Sequence, residues 1–203
     1  MTSLRHNDGT ERSAADLYLD AARACILDVG WRRTTLTEVA RRAGVSRMTI
    51  YRTWPDMPRL LADLMTREWG ELVAATTGAS GAAPGAAPGP EQVADALVRA
   101  VRALRDNELF VRIVELDPEL ILPYLLARRG RSQDLVLEVL GAAITAGQEA
   151  GSVRPGDPRT IGRALVLAVH GFVLSAQTMV DDDVTEADLD AELRRLVVRA
   201  LAP

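Results

Sequence analysis

The side chains best suited to chemistry with another molecule lie in one short run, SRMTIYRTW at residues 46–54. Arg47 and Arg52 carry guanidinium forks. A fork of that shape matches the O6 and N7 acceptors of guanine, and each good pair discriminates against a wrong base by about 1–3 kcal/mol. The same forks also suit phosphate oxygens, which position a protein on a duplex without reading it. Met48 offers an apolar surface for a thymine methyl, or a shield for the edge of its helix. Thr49 and Tyr51 supply hydroxyls, and the ring of Tyr51 could equally pack inward. Upstream, Thr35 and Thr37 stand near the start of a preceding helix, where an amide or hydroxyl can meet a phosphate. Capping is the minimal role for that pair. Ser46 is a good first residue for the second helix.

Two helices and a turn must hold these groups. Thr35 and Glu38 are three apart, so Thr35 can cap a helix start while Glu38 reaches back to the Thr35 amide. Leu36, Val39, Ala40 and Ala43 recur at helical spacing. Gly44 suits the left-handed residue that ends a helix, and Val45 is expected as a buried plug in the turn. The second helix then runs until Pro55 stops it. Helix, glycine turn and capped basic helix predict a helix-turn-helix whose second helix enters a DNA major groove. Ile50, Val45, Leu36, Val39 and Trp54 are expected to hold the two helices at their angle.

Charge supports that reading locally. The chain of 203 residues has a net charge of −4. Residues 1–60 carry ten arginines and seven acids, whereas residues 61–203 carry fourteen arginines and twenty-one acids. Between residues 29 and 54 there are six arginines and one acid, Glu38. A small basic face on an acidic body is the electrostatic pattern of a modular DNA binder. Arg5 and Arg12, in a polar N-terminal tail, are candidates for a minor groove; a solvated tail is the competing reading.

The remaining pattern is helical throughout. A first helix spans residues 13–29, with Leu17, Ala21, Ala22, Cys25 and Ile26 toward a core, and Gly30 closes it. A fourth spans about residues 56–77. Residues 78–90, GASGAAPGAAPGP, hold four glycines and three prolines and read as a flexible linker. Further helices are expected at residues 91–106, 108–116, 118–128, 132–150, 158–180 and 185–201, about nine in all, with no credible strand. The fold class is therefore all-α: a three-helix head at residues 13–72 and a helical body at 73–203.

Several functions lose support from composition. With His6, His170 and the single Cys25, and no phosphate-cradling glycine motif, no catalytic constellation or cofactor site can be assembled. Cys25 falls on the buried side of its helix and reads as core; a redox sensor would need exposure. The consecutive Asp181, Asp182 and Asp183 lack further ligand spacing for a metal and read as solvated. There is no membrane-spanning run and no apolar signal region, and the single cysteine fits a reducing compartment, so a cytoplasmic protein is expected.

Gly30-Trp31, Thr34-Thr35, Glu38-Val39-Ala40, Ala43-Gly44-Val45-Ser46, Thr49-Ile50-Tyr51, Trp54-Pro55 and Leu60 together resemble the TetR family of bacterial transcriptional regulators. The resemblance covers about residues 13–72. It implies a homodimer formed by the last two helices (158–180 and 185–201), a double-stranded DNA operator, an unidentified small-molecule effector bound in the body, and repression released by that effector. It also implies that Thr49 and Tyr51 meet phosphates. Two positions depart from the pattern: Met48 where glycine is frequent, and Met57 where a lysine usually contacts phosphate, with Arg59 as a partial replacement. In the body, Trp69, Arg112, Glu115, Tyr124, Gln148, His170 and Gln177 are polar or amphipathic groups in apolar helices and are candidates to line the effector pocket. For His170, a satisfied core position or a dimer contact competes with that role.

Overall fold

The computed structural model describes residues 13–78 and 87–203. Arg5, Arg12 and His6, and most of the expected linker at residues 78–90, lie outside the described residues.

Every regular element among the described residues is helical. The order is α1 (Ala14–Val29), a 3₁₀ turn (Trp31–Arg33), α2 (Leu36–Arg42), α3 (Arg47–Thr53), α4 (Met57–Gly78), α5 (Pro90–Arg105) and α6 (Glu108–Leu116). A second 3₁₀ turn (Pro118–Leu120), α7 (Leu122–Leu126), α8 (Arg131–Glu149), α9 (Pro158–Leu174), a third 3₁₀ turn (Ala176–Met179) and α10 (Glu186–Leu201) follow. Ten α-helices are found among the described residues, where about nine were expected. The single piece expected at residues 118–128 divides into a 3₁₀ turn and α7, because Pro118 and Pro123 each supply no amide to an i→i−4 ladder. The helix expected to reach residue 180 stops at Leu174 and gives way to the third 3₁₀ turn.

The chain divides into two compact units, with the boundary between Leu64 and Met65, inside α4. The first unit buries Ala22, Cys25 and Ile26 of α1, Leu36, Val39 and Ala40 of α2, Ile50 of α3, Trp54, and Leu60 and Leu64 of α4. Leu17, expected on this core, is 53% exposed; Leu19 takes the inward position. Ala21, Ala22, Cys25 and Ile26 are buried as expected, and Tyr18, beside Leu19, packs edge-on against Trp54 after α3 (ring centroids 6.3 Å apart). The second unit is built around α5 and α10, with α8 and α9 closing it. Val93, Leu97, Val98 and Val101 of α5 cluster with Leu140, Ile144, Ile161, Leu165, Leu193, Val197 and Leu201.

Two ion-pair sets tie α10 to α5. Asp190, only 3% exposed, accepts from Arg102 Nε and Arg105 Nη2, each at 2.6 Å. Nearer the start of α5, Asp95 accepts from Arg194 at 2.7 Å. Gly147 of α8 permits a close approach that no other residue would: a Cβ there would lie 2.5 Å from Val153 Cγ2 and 3.1 Å from the Pro88 carbonyl oxygen. No helix among the described residues is long and apolar enough to cross a membrane.

Candidate nucleic-acid interface

The turn between α2 and α3 is specified almost residue by residue. The Val45 amide donates to the Ala40 carbonyl at 3.0 Å and the Gly44 amide to the Arg41 carbonyl at 3.3 Å. These are the paired bonds of a Schellman ending, and they require the left-handed residue that Gly44 supplies at φ 69°. Val45 is half-buried, short of the buried plug expected. Thr35 accepts the Glu38 amide (3.2 Å) and so caps α2. The reciprocal bond from Glu38 to the Thr35 amide is absent. Glu38 instead accepts from Arg41 Nε at 3.0 Å, one turn along, which holds its carboxyl below the usual range. Beneath the turn, the buried Thr34 hydroxyl donates to the Gly30 carbonyl at 2.8 Å.

Ser46 starts α3 by accepting the Thr49 amide at 3.2 Å, and its hydroxyl also lies 2.9 Å from the Thr49 hydroxyl. Thr49 is therefore partly engaged within the cap. Ile50 is wholly buried and turns α3 so that its other residues face out. Arg47 and Arg52 are exposed, Met48 is 77% exposed and Tyr51 42% exposed. An inward-packed Tyr51 is excluded by that exposure. The Arg47 guanidinium lies over the Tyr51 ring, 5.9 Å from its centroid, which restrains both side chains on one face. At the end of α3, Trp54 is buried and donates Nε1–H to Asp63 of α4 at 2.9 Å. Thr35 and Thr37 are exposed at the start of α2. At the start of α4, Met57 is half-buried and Arg59 exposed, with Asp56 accepting the Arg59 amide at 2.8 Å.

One feature of this unit has no counterpart in the sequence pattern. A cleft of about 690 Å³ opens between α1 and α2, lined among others by Cys25, Asp28, Arg33, Thr35, Arg41 and Arg42. Its cations are largely engaged: Arg42 with Asp28, Arg41 with Glu38, and Arg33 Nε with the Val29 carbonyl. Burial pushes the Cys25 thiol up in pKa, outweighing the nearby Arg42. No local signal marks this cleft, since its residues come from three elements.

Of the seven body residues singled out in the sequence, four have partners within the chain. Trp69 packs edge-on against Phe110 at 5.6 Å. Gln148 donates to the carbonyls of Arg154 and Gly156, both at 2.9 Å, and so holds the turn before α9. Gln177 is exposed and bonds Glu186. Tyr124 carries the Arg128 guanidinium over its ring at 5.1 Å. Glu115 is exposed; Arg112 and His170 are half-buried, and burial lowers the His170 pKa. The partners found for these side chains lie outside the set of seven.

Residues 19–64 match the family model for bacterial regulatory proteins of the tetR family. An HTH-type transcriptional regulator of Mycobacterium tuberculosis is 34% identical over 175 residues, which is 86% of this chain and 87% of that protein. The chain belongs to the TetR family. As a TetR-family protein it also shares its fold with solved structures of low identity. The repressor SmeT of the Stenotrophomonas maltophilia multidrug efflux pump SmeDEF superposes with a TM-score of 0.63 at 20% identity, covering 95% of this chain and 92% of SmeT. The regulator FadR of Bacillus subtilis, in complex with stearoyl-CoA, gives 0.65 at 19% identity, covering 91% of this chain and 98% of FadR. The TetR model ends at Leu64, the residue at which the first compact unit ends.

Proposed function

We propose that this TetR-family chain is a sequence-specific DNA-binding repressor that acts as a homodimer on a palindromic operator and releases it when a small molecule binds the body. The observation that carries the reading is the outward face of α3. Arg47, Met48, Tyr51 and Arg52 are exposed around a fully buried Ile50, on a unit whose residues 29–54 carry six arginines and one acid. Such a face has little value to the fold itself and fits a major groove. Arg47 and Arg52 read bases. Thr35, Thr37, Ser46, Thr49 and Tyr51 meet phosphates, and Met48 meets a thymine methyl. Arg59 takes the phosphate position that Met57 cannot fill.

The exposed faces of α9 and α10 support dimerisation. Leu167 of α9 is 70% exposed and Leu196 of α10 is 50% exposed. Exposed leucines on two packed neighbouring helices suit burial against a second copy. Repression and effector release are supported by the relatives: SmeT is a repressor, and FadR was solved with stearoyl-CoA. An effector shifts the head spacing only if it binds the two states with different affinity. The test is an electrophoretic shift on the DNA upstream of the protein's own gene, against unrelated DNA. Retarded, competitor-resistant complexes are expected. A folded dimer that binds neither DNA at low salt would refute the reading.

A further inference from the structure

The body after residue 60 carries fourteen arginines and twenty-one acids, yet residues 120–133 hold three arginines and no acid. In this stretch α7 presents Leu122 and Leu126, four residues apart and so on one helix face. They are 46% and 80% exposed. Arg128, Arg129 and Arg131 follow and are all exposed. The Arg128 guanidinium lies over the Tyr124 ring, so it is held beside the leucines. Arg129 donates from Nε to Asp134 at 2.9 Å, a surface pair of little strength that a further carboxylate can join. Exposed leucines next to three guanidiniums fit an apolar group flanked by carboxylates.

The chain carries a segment of that chemistry. Residues 179–183, MVDDD, connect the third 3₁₀ turn to α10. Met179 is 63% exposed and the three aspartates are exposed. Asp181 Oδ1 accepts the amides of Asp183 and Val184 at 3.0 and 2.9 Å, which holds the loop in shape. The loop joins the two helices that carry Leu167 and Leu196.

We propose that, in the homodimer, the 122–131 patch of one protomer receives the 179–183 loop of its partner. Met179 covers the leucines, and three carboxylates face three guanidiniums. A two-fold axis makes the contact twice. The inference rests on the dimer reading above, and it adds a charge-specific clasp to the contact through Leu167 and Leu196.

The experiment is a charge-swap cycle on the full chain, with the dimer dissociation constant measured by sedimentation from about 50 to about 300 mM salt. Arg128→Glu with Arg129→Glu, and separately Asp182→Arg with Asp183→Arg, are each expected to weaken the low-salt dimer by about ten-fold or more. The four changes together are expected to recover most of that loss. Losses that simply add overturn the proposal, and a loss confined to the patch variant assigns the patch to some other acidic partner. Circular dichroism checks folding, and the neutralising cycle Arg128→Ala with Asp182→Asn repeats the test on milder changes. The arm with Leu167→Glu and Leu196→Glu separates the two readings. If the wild type is dimeric and that variant monomeric while the swap shows no recovery, the clasp alone fails. A monomeric wild type removes the dimer and the clasp together.

Discussion

At the scale of single residues, α3 separates the groups that hold the head from those proposed to read DNA. Ile50 is wholly enclosed, so Ile50→Ala leaves a cavity and is expected to cost about 2–5 kcal/mol in denaturant unfolding. Arg47 and Arg52 are exposed and bear no core load. Their replacement by alanine is expected to leave unfolding unchanged within about 0.5 kcal/mol. Operator binding is expected to weaken by about 1–3 kcal/mol for each arginine that reads a base. Fluorescence anisotropy with operator and scrambled duplexes checks this. An equal loss on both duplexes would reassign the arginine to phosphate. Cys25 gives the opposite case. It is 1% exposed and its pKa is raised, chiefly by burial, so the thiol rather than the thiolate prevails at neutral pH. A disulfide reagent is therefore expected to react slowly with the native chain and fast once it is unfolded; fast native reaction would show the α1–α2 cleft opening to solvent.

At the scale of elements, the sequence was most informative where the determining contacts span three or four residues. The caps at Thr35 and Ser46 form as their spacing implies, without the reciprocal bond from Glu38. The Gly44 ending forms as well. What the sequence could not show depends on partners far along the chain. Leu17 and Leu19 fit an amphipathic α1 about equally, and Leu19 is the one buried, beside the Tyr18–Trp54 contact. Gln148 looks free until the turn at residues 154–156 is seen to use both its donors. Glu38 had two local choices and took Arg41. The caps also carry a pH signature. Hydrogen bonds from Thr185, and from Thr160 and the Arg159 amide, hold Asp188 and Asp157 below their ordinary pKa. A carboxylate depressed in the folded state contributes stability above its unfolded pKa, and that contribution is lost as pH falls through the folded value. Acid unfolding is thus expected to loosen the starts of α9 and α10. Asp188→Asn should flatten the pH dependence of stability below about pH 4; an unchanged acid limb would show that the cap adds nothing. Ser46→Ala, which removes the α3 cap, is expected to cost about 1 kcal/mol.

At the scale of the whole molecule, the proposed reading of DNA and the proposed pairing of protomers are separate properties that an operator would join. One α3 makes a short interface, and its affinity is set mainly by phosphate contacts and therefore by salt. A dimer doubles that interface and adds a geometric condition: the two recognition helices must meet half-sites about one helical turn apart, or a multiple of it. Leu167→Glu with Leu196→Glu places carboxylates on the exposed leucines of α9 and α10. Both changes lie outside the head, so the variant is expected to keep an intact α3, become monomeric by light scattering, and retain only weak, salt-sensitive DNA binding. The complementary change is made in the DNA. Inserting about 5 base pairs between half-sites turns one of them to the opposite side of the duplex, whereas about 10 restores the facing. Wild-type affinity should collapse with the shorter insertion and partly return with the longer one, while the monomeric variant responds to neither. Equal wild-type binding to all three spacings would mean that each head binds alone, and the dimer would then have no part in choosing the operator.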